Sequence, residues 1–348
     1  MNIQENVALA PWTTLQVGGA ARYFAEARRE DEVREAVDWA RTRNLPLFVL
    51  GGGSNIVVAD SGWPGLVLRI AIGGLTSEGA GNGVLFAVGA GFDWDEFVAH
   101  AVVQNCAGVE CLSGIPGNVG GTPVQNVGAY GQEVADTIES VRALDMKEDR
   151  IVVLPRPACG FGYRSSIFNR AERGRYVILR VNFRLQRGGG PNLGYADLKE
   201  HFAQTRTAPT LASVRQAVLD IRCRKGMLIL PGDADCRSAG SFFRNPVLSD
   251  EQFQELDAHA RARGLGVPSY PALEARRKVP AAWLVEHSGF AKGFRLGSAG
   301  ISSKHALAII NTGGAQASEI IRLKDAIQQG VRSTWGILLE PEPEFVGF

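Results

Sequence analysis

At 348 residues the chain exceeds one ordinary domain and predicts two or three. Its 45% hydrophobic and 21% charged residues exclude global disorder, and a formal net charge of +1 gives no electrostatic reason to expect a nucleic-acid or membrane partner. An anionic ligand must therefore be held by local groups. The segment MNIQENVALAPW lacks the basic and apolar runs of a signal peptide, and no later stretch approaches the roughly 18 apolar residues of a spanning helix, so a cytoplasmic protein is expected. Five cysteines without a CxxC pair fit neither a disulfide scaffold nor a zinc site; they are expected to be reduced and mostly structural, with no metal bound.

In chain order, DEVREAVDWARTR (31–43) places Val33, Ala36, Val37 and Ala40 at helical spacing, and the strand-like LPLFVL then runs straight into GGGSN. IVVAD, GLVLRI and VLFAVGAG read as strands, and WDEFVAHAVVQN as an amphipathic helix, which makes the opening third α/β. Residues 112–131 (LSGIPGNVGGTPVQNVGAYG) are too rich in glycine and proline for any regular element. SVRALD, RIVVLP and YVILRVNFRLQ are strands around the turn-like FGYRSS, and GGGPNLGYADLKE is a loop entering a helix. SVRQAVLDIRCRK is a helix, after which LPGDADCRSAGS breaks all periodicity. The last part alternates helices (DEQFQELDAHARARG, PAAWLVEHSG, ASEIIRLKDAIQQGVRSTWG) with short strands (HALAIIN, LLEPEPEFVG).

Glycine lets a backbone come close to a ligand and aim successive N–H groups at phosphate oxygens. Gly51-Gly52-Gly53-Ser54-Asn55, directly after a strand, is such an arrangement, although a plain tight turn accounts for it equally well on its own. It has neither the GxGxxG spacing of a Rossmann site nor the ending of a P-loop. The longer segment from Ile115 to Gly131 is harder to explain without a ligand, because ordering so much glycine costs chain entropy. Two such loops in the first half point to one extended diphosphate, such as a dinucleotide.

Leu50-Gly51-Gly52-Gly53-Ser54-Asn55, then Ile115-Pro116-Gly117 through Gln125-Asn126-Val127-Gly128-Ala129-Tyr130-Gly131, resemble the FAD-binding half of the UDP-N-acetylenolpyruvoylglucosamine reductase (MurB) family. Three further motifs continue the resemblance in order across nearly the whole chain: GYRSSIF (162–168), AGSFFRNP (239–246) and LEPE (339–342). The resemblance implies a mixed α/β (α+β) protein, with an FAD-binding fold of the vanillyl-alcohol oxidase and p-cresol methylhydroxylase type followed by a C-terminal α+β substrate domain. It divides the chain into FAD-binding subdomains at 1–68, joined by a C-terminal strand near 336–348, and 69–225, with a substrate domain at 226–335. It also implies non-covalent FAD, with Gly120, Gly121 and Thr122 among its contacts beside those named above, NADPH as co-substrate, an enolpyruvyl ether of UDP-N-acetylglucosamine as substrate, and a monomer.

The chemistry of that reaction gives the remaining motifs a reason to occur together. A hydride delivered to the terminal vinyl carbon pushes negative charge onto the carbon beside the carboxylate, which demands fixed positive or donor groups. Arg164 stays protonated and meets a carboxylate with two parallel hydrogen bonds. Glu340 assists only if protonated or sharing a proton with the developing enol, so burial is expected to raise its pKa. Ser241 matches the family's proton donor; AGSF is not the GxSxG of a hydrolase nucleophile. Singly, these motifs also read as a polar turn, a glycine turn before two core phenylalanines and an acidic edge strand.

For substrate binding the resemblance points to Tyr163, Tyr195, Lys225, Asn245, Lys292 and His305, with solvated side chains as the plain alternative for the lysines. GGGPNLGYADLKE resembles the family form in which a loop tyrosine, here Tyr195, folds over substrate. Two departures stand out: GMLILPGDADCRSAG lengthens the linker between Lys225 and Ser241, and Arg244 stands where lysine is common. The alternatives are an alcohol or sugar oxidase of the same flavin fold, and a UDP-sugar or flavin binder without turnover.

Overall fold

A computed structural model describes residues 1–203, 207–272 and 275–348. The chain forms two compact units that interleave in sequence: Met1–Val7, Ala21–Gly53 and Trp63–Arg224 make the first, and Ala8–Ala20, Ser54–Gly62 and Lys225–Phe348 the second.

The first unit contains a sheet of strands Ile3–Ala8, Ala20–Ala27, Trp63–Ile70 and Leu47–Leu50, in that spatial order, the last three mutually parallel where they pair. Parallel neighbours need a crossover, and the helix Glu30–Thr42 supplies it. That helix buries Val33, Ala36, Val37 and Ala40, the stripe its sequence spacing specifies. A second, antiparallel sheet has the order Arg150–Pro155, Ile138–Asp145, Tyr176–Arg187, Gly83–Gly89 and Leu75–Ala80. Leu75–Ala80 was not foreseen: LTSEGA carries no apolar alternation because, as an edge strand, it is mostly exposed. The helix Trp94–Val103, capped by Asp93, buries Trp94, Phe97 and Val98 among Phe86 and Phe183 of this sheet. The helix Leu211–Arg224 closes a smaller apolar cluster with Cys111 and Leu198.

The second unit has a core in which Leu15, Val17 and Val57 join Phe242, Phe243, Leu284 and Ile320. Its longest helix, Ala317–Trp335, receives its first turn from Asp60, whose carboxylate accepts from the N–H groups of Ala317 (2.7 Å) and Ser318 (3.0 Å). Strand Glu344–Val346 pairs in parallel with Ile56–Val58. The run LLEPEPEFVG is a strand only at this end, because Pro341 and Pro343 have no N–H to give a ladder.

All five cysteines are free, and all but Cys223 are buried. Burial pushes the thiols of Cys106, Cys111, Cys159 and Cys236 up, Cys159 to about 11, so none of these four is a ready thiolate. No helix among the described residues is long and apolar enough to cross a membrane.

Candidate active site

In the first unit the two glycine segments touch. A Cβ on Gly52 would lie 2.5 Å from Gly117 Cα and 2.8 Å from Asn118 Oδ1, so only glycine admits the approach. Residues 117–120 are laid along 90–94 by backbone bonds from Trp94 N to Gly117 O (3.0 Å), Val119 N to Phe92 O (2.9 Å) and Gly120 N to Ala90 O (2.8 Å). Next to Gly51 and Gly121, by contrast, the position of a Cβ has no atom of the described residues beyond its chain neighbours within 4 Å. The backbone is thus tightly seated on one side and open on the other, which is what a cradle for a phosphate-bearing ligand needs.

The end of the second segment is stitched to GYRSS. Buried Asn126 donates Nδ2 to Glu133 Oε2 (2.7 Å) and Gly162 O (3.0 Å) and accepts from Ala135 N (3.1 Å), so its amide is spent on the protein. Arg164 donates Nη2 to Gly128 O (2.7 Å) and lies 5.4 Å from the Tyr163 ring centroid. Ser166 donates its hydroxyl to Val124 O (2.6 Å) and caps the short turn Ile167–Asn169. Asn126, Tyr130 and Arg164 all have left-handed backbones, with φ of 49°, 48° and 50°. For tyrosine and arginine that conformation is unfavourable, and such outliers concentrate where surroundings fix a side chain for a task.

Tyr195, at 42% exposure, sets its ring edge-on to Tyr130 with centroids 5.3 Å apart, just before the helix Ala196–Phe202. Beneath this loop lies a buried carboxylate that sequence reading missed. Glu110 accepts from Gln132 Nε2 (2.9 Å), Asn192 N (2.9 Å) and Gly108 N (2.8 Å), joining three loops. Arg222 is a second omission, buried and donating Nε to Gly114 O (3.1 Å). Nothing in the local sequence marks either one: an ECL or an IRC tripeptide is as ordinary on a surface as in a core.

In the second unit AGSFF and LEPE lie side by side. Phe243 bridges Pro341 antiparallel, Arg244 N donates to Glu340 O (2.9 Å) and Glu342 N to Phe242 O (2.9 Å). Ser241 is half-buried at the start of this pairing, before the core residues Phe242 and Phe243. Glu340 departs from expectation, because its side chain is 76% exposed, with Arg244 Nη1 3.9 Å away. Alternation along the extended segment explains this: Leu339 takes the inward position and Glu340 the outward one. Ser54 and Asn55 fall in this unit rather than with Leu50–Gly53, and Asn55 donates Nδ2 to Glu342 O (3.3 Å).

Among the proposed substrate contacts, Asn245 accepts from Ala281 N (2.9 Å) at the start of the helix Ala281–Glu286. Lys292 is half-exposed, 4.0 Å from Glu286, and Lys225 is half-buried. His305 Nδ1 accepts from Leu307 N (3.0 Å), which fixes the orientation of the ring.

Residues 21–154 match an FAD binding domain, and 231–346 match the C-terminal domain of UDP-N-acetylenolpyruvoylglucosamine reductase. Full-length similarity accompanies both. A UDP-N-acetylenolpyruvoylglucosamine reductase of Thermobifida fusca is 44% identical over 98% of this chain and 97% of its own, and one of Cutibacterium acnes 43% identical over 99% and 90%. The crystal structure of the reductase from Thermus caldophilus superposes with a TM-score of 0.67 at 27% identity, covering 99% of both chains. The chain belongs to the UDP-N-acetylenolpyruvoylglucosamine reductase family.

As a member of that family it is an FAD-dependent oxidoreductase, and an FAD-binding domain followed by a C-terminal α+β domain is the fold expected. The residues fit FAD on the structure's own terms: Gly52 packs too closely on Gly117 to carry a side chain, while Gly51 and Gly121 leave open space beside the main chain.

Proposed function

We propose that this enzyme reduces the enolpyruvyl ether of UDP-N-acetylglucosamine to UDP-N-acetylmuramate in the cytoplasm, using non-covalently bound FAD and electrons from NADPH, as a step in peptidoglycan precursor synthesis. Family membership supports the reaction, and the observation that most supports the residue roles is the antiparallel pairing of AGSFF with LEPE through Phe243 and Pro341.

On this reading residues 1–68 with 336–348, and 69–225, hold FAD through Leu50–Asn55 and Ile115–Tyr130, residues 226–335 hold the UDP-sugar, and the protein acts as a monomer. When bound and reduced by NADPH, the flavin would supply a hydride to the terminal vinyl carbon. Charge develops on the carbon beside the carboxylate, and Arg164 stabilises it through its permanently charged fork. Its anchorage on Gly128 O spends one Nη and holds the plane, so little reorganisation accompanies the charge shift. Ser241 then donates its proton to that carbon, a transfer feasible for a hydroxyl because an enolate carbon is strongly basic and held in contact. Glu340 shares a proton with the developing enol; since it is 76% exposed, the dry surroundings that role requires come from the bound substrate. Tyr163, Asn245, Lys225, Lys292 and His305 hold the UDP-sugar, and Tyr195 folds over it to exclude water.

The test is anaerobic. Protein reduced with NADPH is mixed with UDP-N-acetylglucosamine enolpyruvate, and the flavin absorbance is expected to return to the oxidised spectrum with formation of UDP-N-acetylmuramate. A flavin that stays reduced defeats the assignment. Running the first half with NADH as well reads the nucleotide preference, and release of all yellow colour to the supernatant on acid precipitation checks that FAD is non-covalent.

A further inference from the structure

The lengthened linker between Lys225 and Ser241 is ordered against one turn of the second unit. Asp235 is 9% exposed and accepts from Ser303 N (3.1 Å) and Ser303 Oγ (2.7 Å). Two residues earlier, Asp233 accepts from Lys304 Nζ at 2.5 Å and, through Oδ1, from Asp235 N at 2.9 Å. Gly226, with φ of 63°, packs where a Cβ would stand 3.2 Å from Lys304 Cδ and 3.3 Å from Asp235 Cβ. The linker is also closed on itself, Cys236 donating its thiol to Leu228 O (2.6 Å), and pinned beyond by Arg237 Nε to Asn311 O (2.9 Å).

The residue that follows the two clamped ones is His305. Buried Ser302 Oγ accepts from Lys304 N (3.0 Å) and His305 N (3.2 Å), and Leu307 N holds the ring at Nδ1. Every backbone N–H from Ser303 to His305 is therefore committed, two of the three to Ser302 and the third to Asp235. The Lys304 ammonium, the nearest cation in sequence that could compete with His305 for an anionic ligand, is neutralised by Asp233. A surface loop that needed only to connect two elements would not require a buried carboxylate, and removing water from Asp235 is unfavourable unless its acceptors are used.

We propose that the 226–238 segment is a clamp, with Asp235 and Asp233 as positioning residues that fix the Ser302–His305 turn so that the His305 ring is held in place for the UDP-sugar. This rests on the reading of His305 as a substrate contact given above. Asp235 does not touch the ligand on this account and acts only through the turn.

The experiment titrates oxidised, FAD-loaded protein with UDP-N-acetylglucosamine enolpyruvate in the absence of NADPH, following the flavin spectrum, for wild type, Asp235→Ala, His305→Ala and the double variant, with Tm and FAD content recorded for each. His305→Ala is expected to raise Kd about tenfold, Asp235→Ala by a similar factor, and the double variant no further than His305→Ala alone. Multiplying effects in the double variant, or wild-type affinity in Asp235→Ala while His305→Ala is weakened, overturns the clamp and leaves the function intact. Unchanged affinity in His305→Ala removes His305 from the substrate site and the clamp with it. If Asp235→Ala does not load FAD, Asp235→Asn, which keeps an acceptor for Ser303 N, carries the same comparison with a smaller expected rise.

Discussion

At Ser241 the demand is for a proton delivered to carbon, and the expected consequence separates the two half-reactions. Ser241→Ala removes the only proposed donor without disturbing Phe242 or Phe243 in the core. Flavin reoxidation by substrate in single-turnover mixing is expected to slow by about 10²–10⁴-fold, the range for a positioned general acid, with NADPH-driven reduction little changed. A comparable loss in both halves would show that Ser241 serves flavin binding instead. Arg164 and Glu340 contrast in how far the residue alone predicts its setting. The guanidinium is held as a permanent charge must be, with a carbonyl at 2.7 Å, whereas the carboxylate expected to be buried stands in water. Residue type determines what a group can donate, but neighbours determine its solvation.

Among elements, the glycine turn after strand Leu47–Leu50 and the segment beginning at Ile115 fit together through a contact that excludes one methyl group. Gly52→Ala would put a Cβ 2.5 Å from Gly117 Cα, and backbone cannot yield there without moving the cradle. FAD binding by the apoprotein, followed by fluorescence quenching, is expected to weaken by at least about tenfold. Gly121→Ala, with open space at its Cβ, tests the complementary point: a loss of FAD affinity there with unchanged Tm would mean that ligand, not protein, occupies the space.

A different element joint carries the pH response. Asp145 ends the strand Ile138–Asp145 almost wholly buried and is bonded to Arg175 at 2.6 Å. That guanidinium, aided by the N–H groups of Lys147 and Glu148 and opposed by burial, holds its carboxyl down to about 2. A folded pKa below the unfolded one adds stability that is complete above about pH 4 and disappears as pH falls through the folded value. Asp145→Asn should therefore lower Tm at pH 7 by a few degrees, the gap from wild type closing as pH is taken from 4 towards 2 in thermal melts. A gap constant across that range would assign the effect to packing.

On the scale of the whole molecule the chain leaves one unit for the other repeatedly, with Ala8–Ala20 and Ser54–Gly62 both contributed to the second unit. That unit is therefore not the contiguous piece a boundary near residue 225 suggests. Leu15, Val17 and Val57 belong to its core, Asp60 caps its longest helix and Ile56–Val58 is the partner of its final strand. An isolated fragment 225–348 is expected to lack cooperative thermal unfolding and dispersed amide resonances, because those apolar faces and the helix end lose their partners. A folded fragment would show that the interleaved segments are dispensable.

The sequence by itself determined the strongly periodic elements and the family. Apolar spacing specified the helix Glu30–Thr42 down to the residues it buries, and runs such as YVILRVNFRLQ could only be strands, because side-chain periodicity is set by neighbours a few positions away. Motifs far apart in the chain named the family because their order survives without any knowledge of folding. Only the tertiary structure decided that Arg164 is held by the carbonyl of Gly128, that Asn126 braces Gly162, that Glu110 is buried beneath the Tyr195 loop, that AGSFF lies beside LEPE, and that Glu340 faces outward. Each of these depends on which backbone group or which face a residue meets across tens to hundreds of positions. Main-chain carbonyls and N–H groups are chemically alike at every position, so the linear order of side chains cannot say which of them will meet; the packing of sheets and helices does.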